Sequence, residues 1–373
     1  MSETSSATAI PTGSSAPILP RLLRVLAWLS FIAEVIIIGT GGAVRLTASG
    51  LGCTEWPLCT PDSLVPTAEQ GIHGIIEFGN RTMTGVVGIL AIAVLLLTLF
   101  SIAGKRAVVH ALWSALWSVI AGVLCLGLAL LGGWIYTMIT GEPGIAAFPF
   151  FSLGLLVMVI VGAVRSWRSF GERRDLSVLA WLVLIGVIAQ AFVGGITVLT
   201  GLNPFIVGFH YVVSLLLVCI TAVYLVRMRT HDGPRVRAVP KWFAVLTHIT
   251  GLALAATIFF GVLTTASGPH SGDENVIRDG FDATVLAHVH AWPGYILAVL
   301  VLILTIAAWI LRLDPRTWLV ILVAAILVQI GVGVWQAREG LPEILVGIHM
   351  VLASLSAAAY TVVVLRLKRS ADA

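Results

Sequence analysis

Long apolar runs broken by short polar segments dominate the chain. Runs long enough to cross a bilayer fall at roughly 22–43, 74–101, 112–139, 145–165, 177–200, 204–227, 242–266, 284–311, 317–337 and 343–366. Each is within or above the length of about 17–25 residues that a transmembrane helix needs, so the pattern predicts about ten helices. The polar breaks alternate in character. One set is basic: "GKRA", "RSWRSFGERRD", "RMRTHDGPRVRAVPK", "RLDPR" and the tail "RLKRS". The other set carries almost no Lys or Arg apart from Arg45, Arg278 and Arg338. The positive-inside rule then predicts a multi-pass protein of the cell (plasma) membrane, with both termini cytoplasmic and the Cys53/Cys59 loop external.

Composition agrees with this pattern. The 373 residues are 58% hydrophobic and 11% charged, and the mean hydropathy is +1.03. A soluble core of this size would need a far more polar surface, so the fold class expected is an all-α polytopic membrane protein. The net charge of +4 comes mostly from loop lysine and arginine; it reports topology and implies no nucleic-acid partner. The start, "MSETSSATAIPTGSSAP", predicts a disordered cytoplasmic tail over 1–20. It lacks the charged region and short apolar core of a cleaved signal, so Arg21 and Arg24 are expected to flank a retained first span.

The chain repeats itself. "QAFVGGITVLTGLNPFIVGFHYVVSLLL" from Gln190 aligns without gaps with "QIGVGVWQAREGLPEILVGIHMVLASLS" from Gln329, and "RLTASG" at 45–50 matches "LTTASG" at 263–268. Gln190/Gln329, Gly194/Gly333, Gly208/Gly347 and His210/His349 coincide at an offset of 139. Two pseudo-repeated four-helix bundles follow. In the second half one span ends and the next begins at once around Arg312–Arg316, whereas the matching positions of the first half, Arg106 and Ser177, lie about 70 residues apart. The expected organisation is therefore 21–106 and 177–230 as the first bundle, 107–176 as an inserted transmembrane hairpin, and 231–373 as the second bundle.

A lone histidine in a span is more often a packed residue than a ligand. His210 and His349 are a duplicated pair at equal depth, which shifts the balance. The second half adds "LAHVHAW", whose His288 and His290 lie about 200° apart around a helix, so one alone faces inward. Carrying the helix ends across aligns His290 with Asn80 (offset 210), which makes His290 the inward residue and His288 an interfacial one. Histidines on two facing helices near one membrane surface are the usual way a bundle holds haem with two axial ligands. A metal site is the weaker alternative, lacking a third ligand at suitable spacing; a transporter is another, although the duplication is parallel and no span is plainly broken.

In "GIHGIIEFGNRTMTG" at 71–85, His73, Glu77, Asn80 and Thr84 share one helical stripe. Arg81 could pair with Glu77, but an ion pair alone is a poor reason to bury two charges, so a functional Glu77 is expected. Cys53 and Cys59 share a loop with a proline between them. On an oxidising face that spacing suits a local disulfide. Cys125 and Cys219 lie mid-span, where an inert thiol is the default.

Together these segments resemble the haem A synthase family. The resemblance is carried by "GGAVRLTASGLGCTEWPLC" at 41–59, "IIEFGNR" at 75–81, "GGITVLTGLNPFIVGFH" at 194–210, "LAHVHA" at 286–291 and "LPEILVGIH" at 341–349. It implies oxidation of a porphyrin methyl group of haem O to the formyl group of haem A by successive hydroxylations. It also implies a cofactor haem b (iron) in the C-terminal half, with His290 and His349 as axial ligands. His210 would ligate the substrate haem, Glu77 would be the essential carboxylate, Asn80 and Arg81 would line the substrate pocket, and Cys53/Cys59 would be the loop pair. The family commonly carries histidine where this chain has Asn80. That change leaves one face of the substrate iron open, with ligation by His73, about 10.5 Å along the helix, as the alternative. The inserted hairpin departs from the usual eight-span plan. Candidate partners are the lipid bilayer, haem O and haem A, haem O synthase, cytochrome c oxidase assembly factors and a second copy of the chain. A di-haem quinol cytochrome and a haem carrier or assembly chaperone are the alternative functions.

Overall fold

The computed structural model describes residues 20–142, 147–171, 173–230, 233–273 and 282–371. The tail expected to be disordered lies almost wholly outside this range. Nine long apolar helices are present among the described residues: α1 (Arg21–Leu46), α2 (Gly71–Thr140), α3 (Phe148–Ser169), α4 (Arg174–Leu199), α5 (Pro204–Arg227), α6 (Lys241–Ser267), α7 (Ala283–Ile310), α8 (Arg316–Arg338) and α9 (Glu343–Leu365). The chain is a multi-pass, all-α membrane protein. Its helices start where local chemistry favours it. Pro20, Pro240 and Pro342 precede α1, α6 and α9, the Asn203 side chain accepts from Phe205 N at the head of α5, and Asp282 accepts from Thr284 N and Val285 N at the head of α7.

The expected tenth helix is contained in α2. A straight helix of its 70 residues would run about 105 Å, over three times a hydrocarbon core of about 30 Å. The helical geometry breaks at Gly104, where φ is 68°, a conformation that glycine adopts without penalty. Both ends of α2 meet the same loop. Near its start Glu77 accepts from Cys53 N, and just past its end Phe148 packs on Trp56, with ring centroids 5.1 Å apart. The chain therefore reverses at Gly104. Residues 71–103 and 105–140 are two separate spans.

The second arm of α2 packs antiparallel to α3 through small residues: Gly122 against Phe151, Gly154 against Ala121 and Cys125, Gly162 against Ser114. Its other side presents Trp113, Trp117, Leu124, Leu128 and Trp134 outward, as a lipid-facing helix should. The first arm, with α1, α4 and α5, forms one bundle around Leu23, Leu95, Leu99, Leu176 and Tyr224. A second bundle of α6–α9 closes around Phe243, Val301, Leu304, Leu319 and Val363.

The repeat extends to backbone detail. The α4–α5 and α8–α9 turns both place a glycine and then a leucine at positive φ: Gly201 and Leu202 at 62° and 60°, Gly340 and Leu341 at 75° and 64°. Leu202 N donates to Thr197 O and Leu341 N to Gln336 O, each at 2.8 Å. Across the contact between bundles Gly208 faces Val262 while its repeat partner Gly347 faces Leu46. Tyr211 OH donates to Met350 O (3.2 Å), and 211 and 350 are the same position of the repeat. The bundles thus meet about a local two-fold axis. On the face opposite the Cys loop, β1 (Arg235–Arg237) pairs antiparallel with β2 (Lys368–Ser370).

Candidate functional site

Two equivalent sites lie in the halves of the bundle nearer the Cys loop. In the second, His290 of α7 and His349 of α9 face each other, with ring centroids 6.0 Å apart and planes at 80°. His290 Nδ1 lies 2.8 Å from Thr257 O of α6. That bond makes Nδ1 the donor and leaves Nε2 as a free lone pair. Gly261 and Gly333 border the two rings; a Cβ on either would come within about 3 Å of His290 or His349. His349 Nδ1 is buried without a hydrogen-bond partner among the described residues. With metal–imidazole bonds of about 2.0–2.1 Å on either side, this separation suits one shared iron, so the residues fit a bis-histidine haem. No cluster of three or more His, Cys, Asp or Glu that could hold a metal ion occurs among the described residues. His288 is exposed and bonds back to Thr284 O, as its interfacial placement predicts.

The first site repeats this frame with Asn80 in the place of His290. Gly194 borders the His210 ring as Gly333 borders His349. Gln190 Nε2 donates to His210 O (2.6 Å) and Gln329 Nε2 to His349 O (2.9 Å). His210 Nδ1 is also buried and unpartnered. Opposite, where His290 turns toward α6, Asn80 turns toward α1. Its Oδ1 accepts from Thr40 Oγ1 at 2.8 Å, and its amide lies against Gly41. His73 is exposed, with Nδ1 2.9 Å from Ser49 Oγ, so it is tied to the junction of α1 and the Cys loop.

Glu77 and Arg81 join that loop to α2. Glu77 is only 4% exposed. Its Oε2 accepts from Cys53 N (2.7 Å) and its Oε1 accepts from Arg81 Nε (3.1 Å) and Nη2. Arg81 also donates to the carbonyls of Cys53, Glu55, Pro57 and Leu58. Cys53 and Cys59 are disulfide-bonded and fully buried. Trp56, carried on the same loop, packs so tightly on Gly195 that the glycine has no room for a Cβ. The Glu77–Arg81 ion pair that the spacing allows is therefore present, and it fastens the loop over the site.

Two charged residues outside the sequence-derived set also stand out. Arg45, at the end of α1, donates to His270 O (2.7 Å) and Thr265 O (2.8 Å) of the second half, while His270 Nε2 meets Leu341 O. Glu34 is buried in the middle of α1. A lone acid in an apolar span was its signal.

The COX15-CtaA family model, described as "Cytochrome oxidase assembly protein", matches residues 24–141 and 150–361. The match includes both arms of the hairpin. A heme A synthase of Exiguobacterium sibiricum is 32% identical over 181 residues, 46% of this chain and 59% of that protein. A heme A synthase of Lysinibacillus sphaericus is 26% identical over 298 residues, 76% of this chain and 73% of that protein. A protoheme IX farnesyltransferase of Thermus thermophilus is 23% identical over 172 residues, 45% of this chain and 28% of that protein. The first of these alignments thus spans less than two thirds of its relative.

Proposed function

The chain belongs to the COX15-CtaA family of cytochrome oxidase assembly proteins, and from that premise we propose that it is an oxidoreductase converting haem O to haem A. One observation carries the reading within the site. Two equivalent frames exist, and the second holds a histidine pair where the first holds His210 opposite Asn80. A histidine pair suits a resident haem, and His210 facing Asn80 suits a haem held by one axial histidine. The two names borne by the similar heme A synthases support the same conclusion.

His290 and His349 would hold haem b, which when bound supplies one-electron transfer. Thr257 O fixes the His290 tautomer and the two bordering glycines leave clearance for the rings. In the first half His210 ligates the substrate iron, Asn80 leaves its other side free, and the farnesyl chain of haem O lies in lipid. Glu77 accepts a proton, or stabilises the cation, as the methyl group is oxidised. Arg81 aligns that carboxylate and keeps the disulfide loop closed over the pocket, excluding water.

The abundance of Arg and Lys at the β1–β2 face, including Arg235, Arg237, Lys368 and Arg369, supports a cytoplasmic position for that face and an external Cys loop. The test is extraction of pigments from protein purified out of cells that make haem O. A mixture of haem O and haem A is expected; haem b alone would overturn the synthase reading in favour of a cytochrome.

A further inference from the structure

Glu34 is 3% exposed, sits about mid-span in α1, and pairs with no cation among the described residues. Its Oε1 accepts from Thr221 Oγ1 of α5 (2.8 Å) and from Ser30 Oγ (3.3 Å). Oε2 is buried with no partner among the described residues. An ionised carboxylate in that position would be a bare charge in the middle of a bilayer, so the site favours a bound proton. The other titratable group facing it is Cys219 of α5, hydrogen-bonded to Thr361 of α9.

Toward the face opposite the Cys loop, polar groups continue from Glu34. Ser30 and Thr221 line a cavity of about 10 Å³ at the centre of the first bundle, together with Tyr224 and the apolar Ala27, Ala91, Val94, Ala180 and Val183. A cavity of roughly 10–15 Å³ is what one water needs; here the lining is largely apolar, with the Ser30, Thr221 and Tyr224 side chains as its polar border. Tyr224 OH lies 2.6 Å from Thr98 Oγ1. One turn further along α5, Arg227 pairs with Asp175 (3.4 Å) and its carbonyl accepts from Arg173, at the face opposite the Cys loop. Every group from Glu34 to Tyr224 can both donate and accept, as a proton relay requires.

We propose that Glu34 is a proton-binding site within the membrane, connected to the face opposite the Cys loop by Ser30, Thr221, a water admitted to the cavity and the Tyr224–Thr98 pair. A proton entering from that face passes by way of Tyr224, the cavity and Thr221 and comes to rest on Glu34; release runs the same way in reverse. The second half has no equivalent. Thr221's repeat partner is Tyr360, which sits over Gly251 and donates to Thr247 O. The site holds whether or not the chain oxidises haem O.

Infrared difference spectroscopy of the full chain in lipid nanodiscs tests the proposal. The wild type should show the carbonyl band of a buried protonated carboxylic acid, shifting on transfer to D2O. That band should vanish in Glu34→Gln and move in Glu34→Asp; its persistence unmoved in both overturns the assignment, as does its absence from the wild type. In a Thr221→Val, Tyr224→Phe variant the D2O shift should slow at least tenfold. An unchanged rate overturns the route.

Discussion

Replacing Glu77 by Gln separates two jobs that one carboxylate could do. The amide oxygen can still accept from Cys53 N, so the 2.7 Å bond has a substitute. The pair with Arg81 has none. A charge-assisted hydrogen bond contributes about 1.5–3 kcal/mol. Arg81 keeps its backbone carbonyl partners and is 18% exposed, so it is not stranded and the loss stays in that range. At about 2.8 kcal/mol, loop opening becomes about a hundredfold more frequent, since every 1.4 kcal/mol is tenfold. Hydrogen exchange across residues 50–60 should show that acceleration, while helices of the second bundle keep their protection. Arg81→Gln should loosen the loop more, since it also removes bonds to four loop carbonyls, while keeping the carboxylate. Loss of haem A output in Glu77→Gln alone would assign Glu77 a role in the chemistry; equal loss in both would make it a clasp. Unchanged loop protection in both variants would refute the reasoning.

The remaining predictions use other parts of the site. His349→Met should alter the absorption spectrum of the resident haem, and an unaltered spectrum would exclude His349 as its ligand. Asn80→His should convert a five-coordinate substrate haem to six-coordinate, detectable by magnetic circular dichroism; an unchanged spectrum would exclude position 80 as facing the iron. Gly195→Ala forces the Trp56 indole away from α4; overpacking of this kind costs about 1–3 kcal/mol, measurable as a lower Tm and a shift in tryptophan emission. Cys53→Ser with Cys59→Ser removes a closure over a loop of six residues, a loss of about 2 kcal/mol in the chain-entropy picture that should again appear as faster exchange in residues 50–60.

Most of the fold was legible because bilayer thickness sets helix length and hydropathy alone marks the spans. The reversal at Gly104 lies in "GKRA", a short basic break that the charge pattern already marked as a turn. The histidines were legible through duplication: a single His210 is ambiguous, but the repeat ties it to His349. Pairing of His290 with Asn80 was legible too, through the helix ends. What sequence could not supply was the use to which Glu77 is put. Its partners are a backbone N–H and an arginine that also holds four carbonyls of a folded loop, and backbone groups leave no trace in side-chain pattern. Glu34 was overlooked for a different reason. A lone acid in an apolar span marks it, but its partner Thr221 stands 187 residues away, so the sequence does not show what the acid is bonded to.

The local two-fold through Tyr211 and Met350 has an evolutionary corollary. Two identical four-helix chains meeting through this surface would carry every substitution twice, once on each side of the axis. Joined in one polypeptide, the copies are released from that constraint. Asn80 can then sit against Thr40 while His290 bonds Thr257, and Thr221 can bond Glu34 in one bundle while its repeat partner Tyr360 bonds Thr247 in the other. Gene fusion is what permits a symmetric frame to be asymmetric in its chemistry.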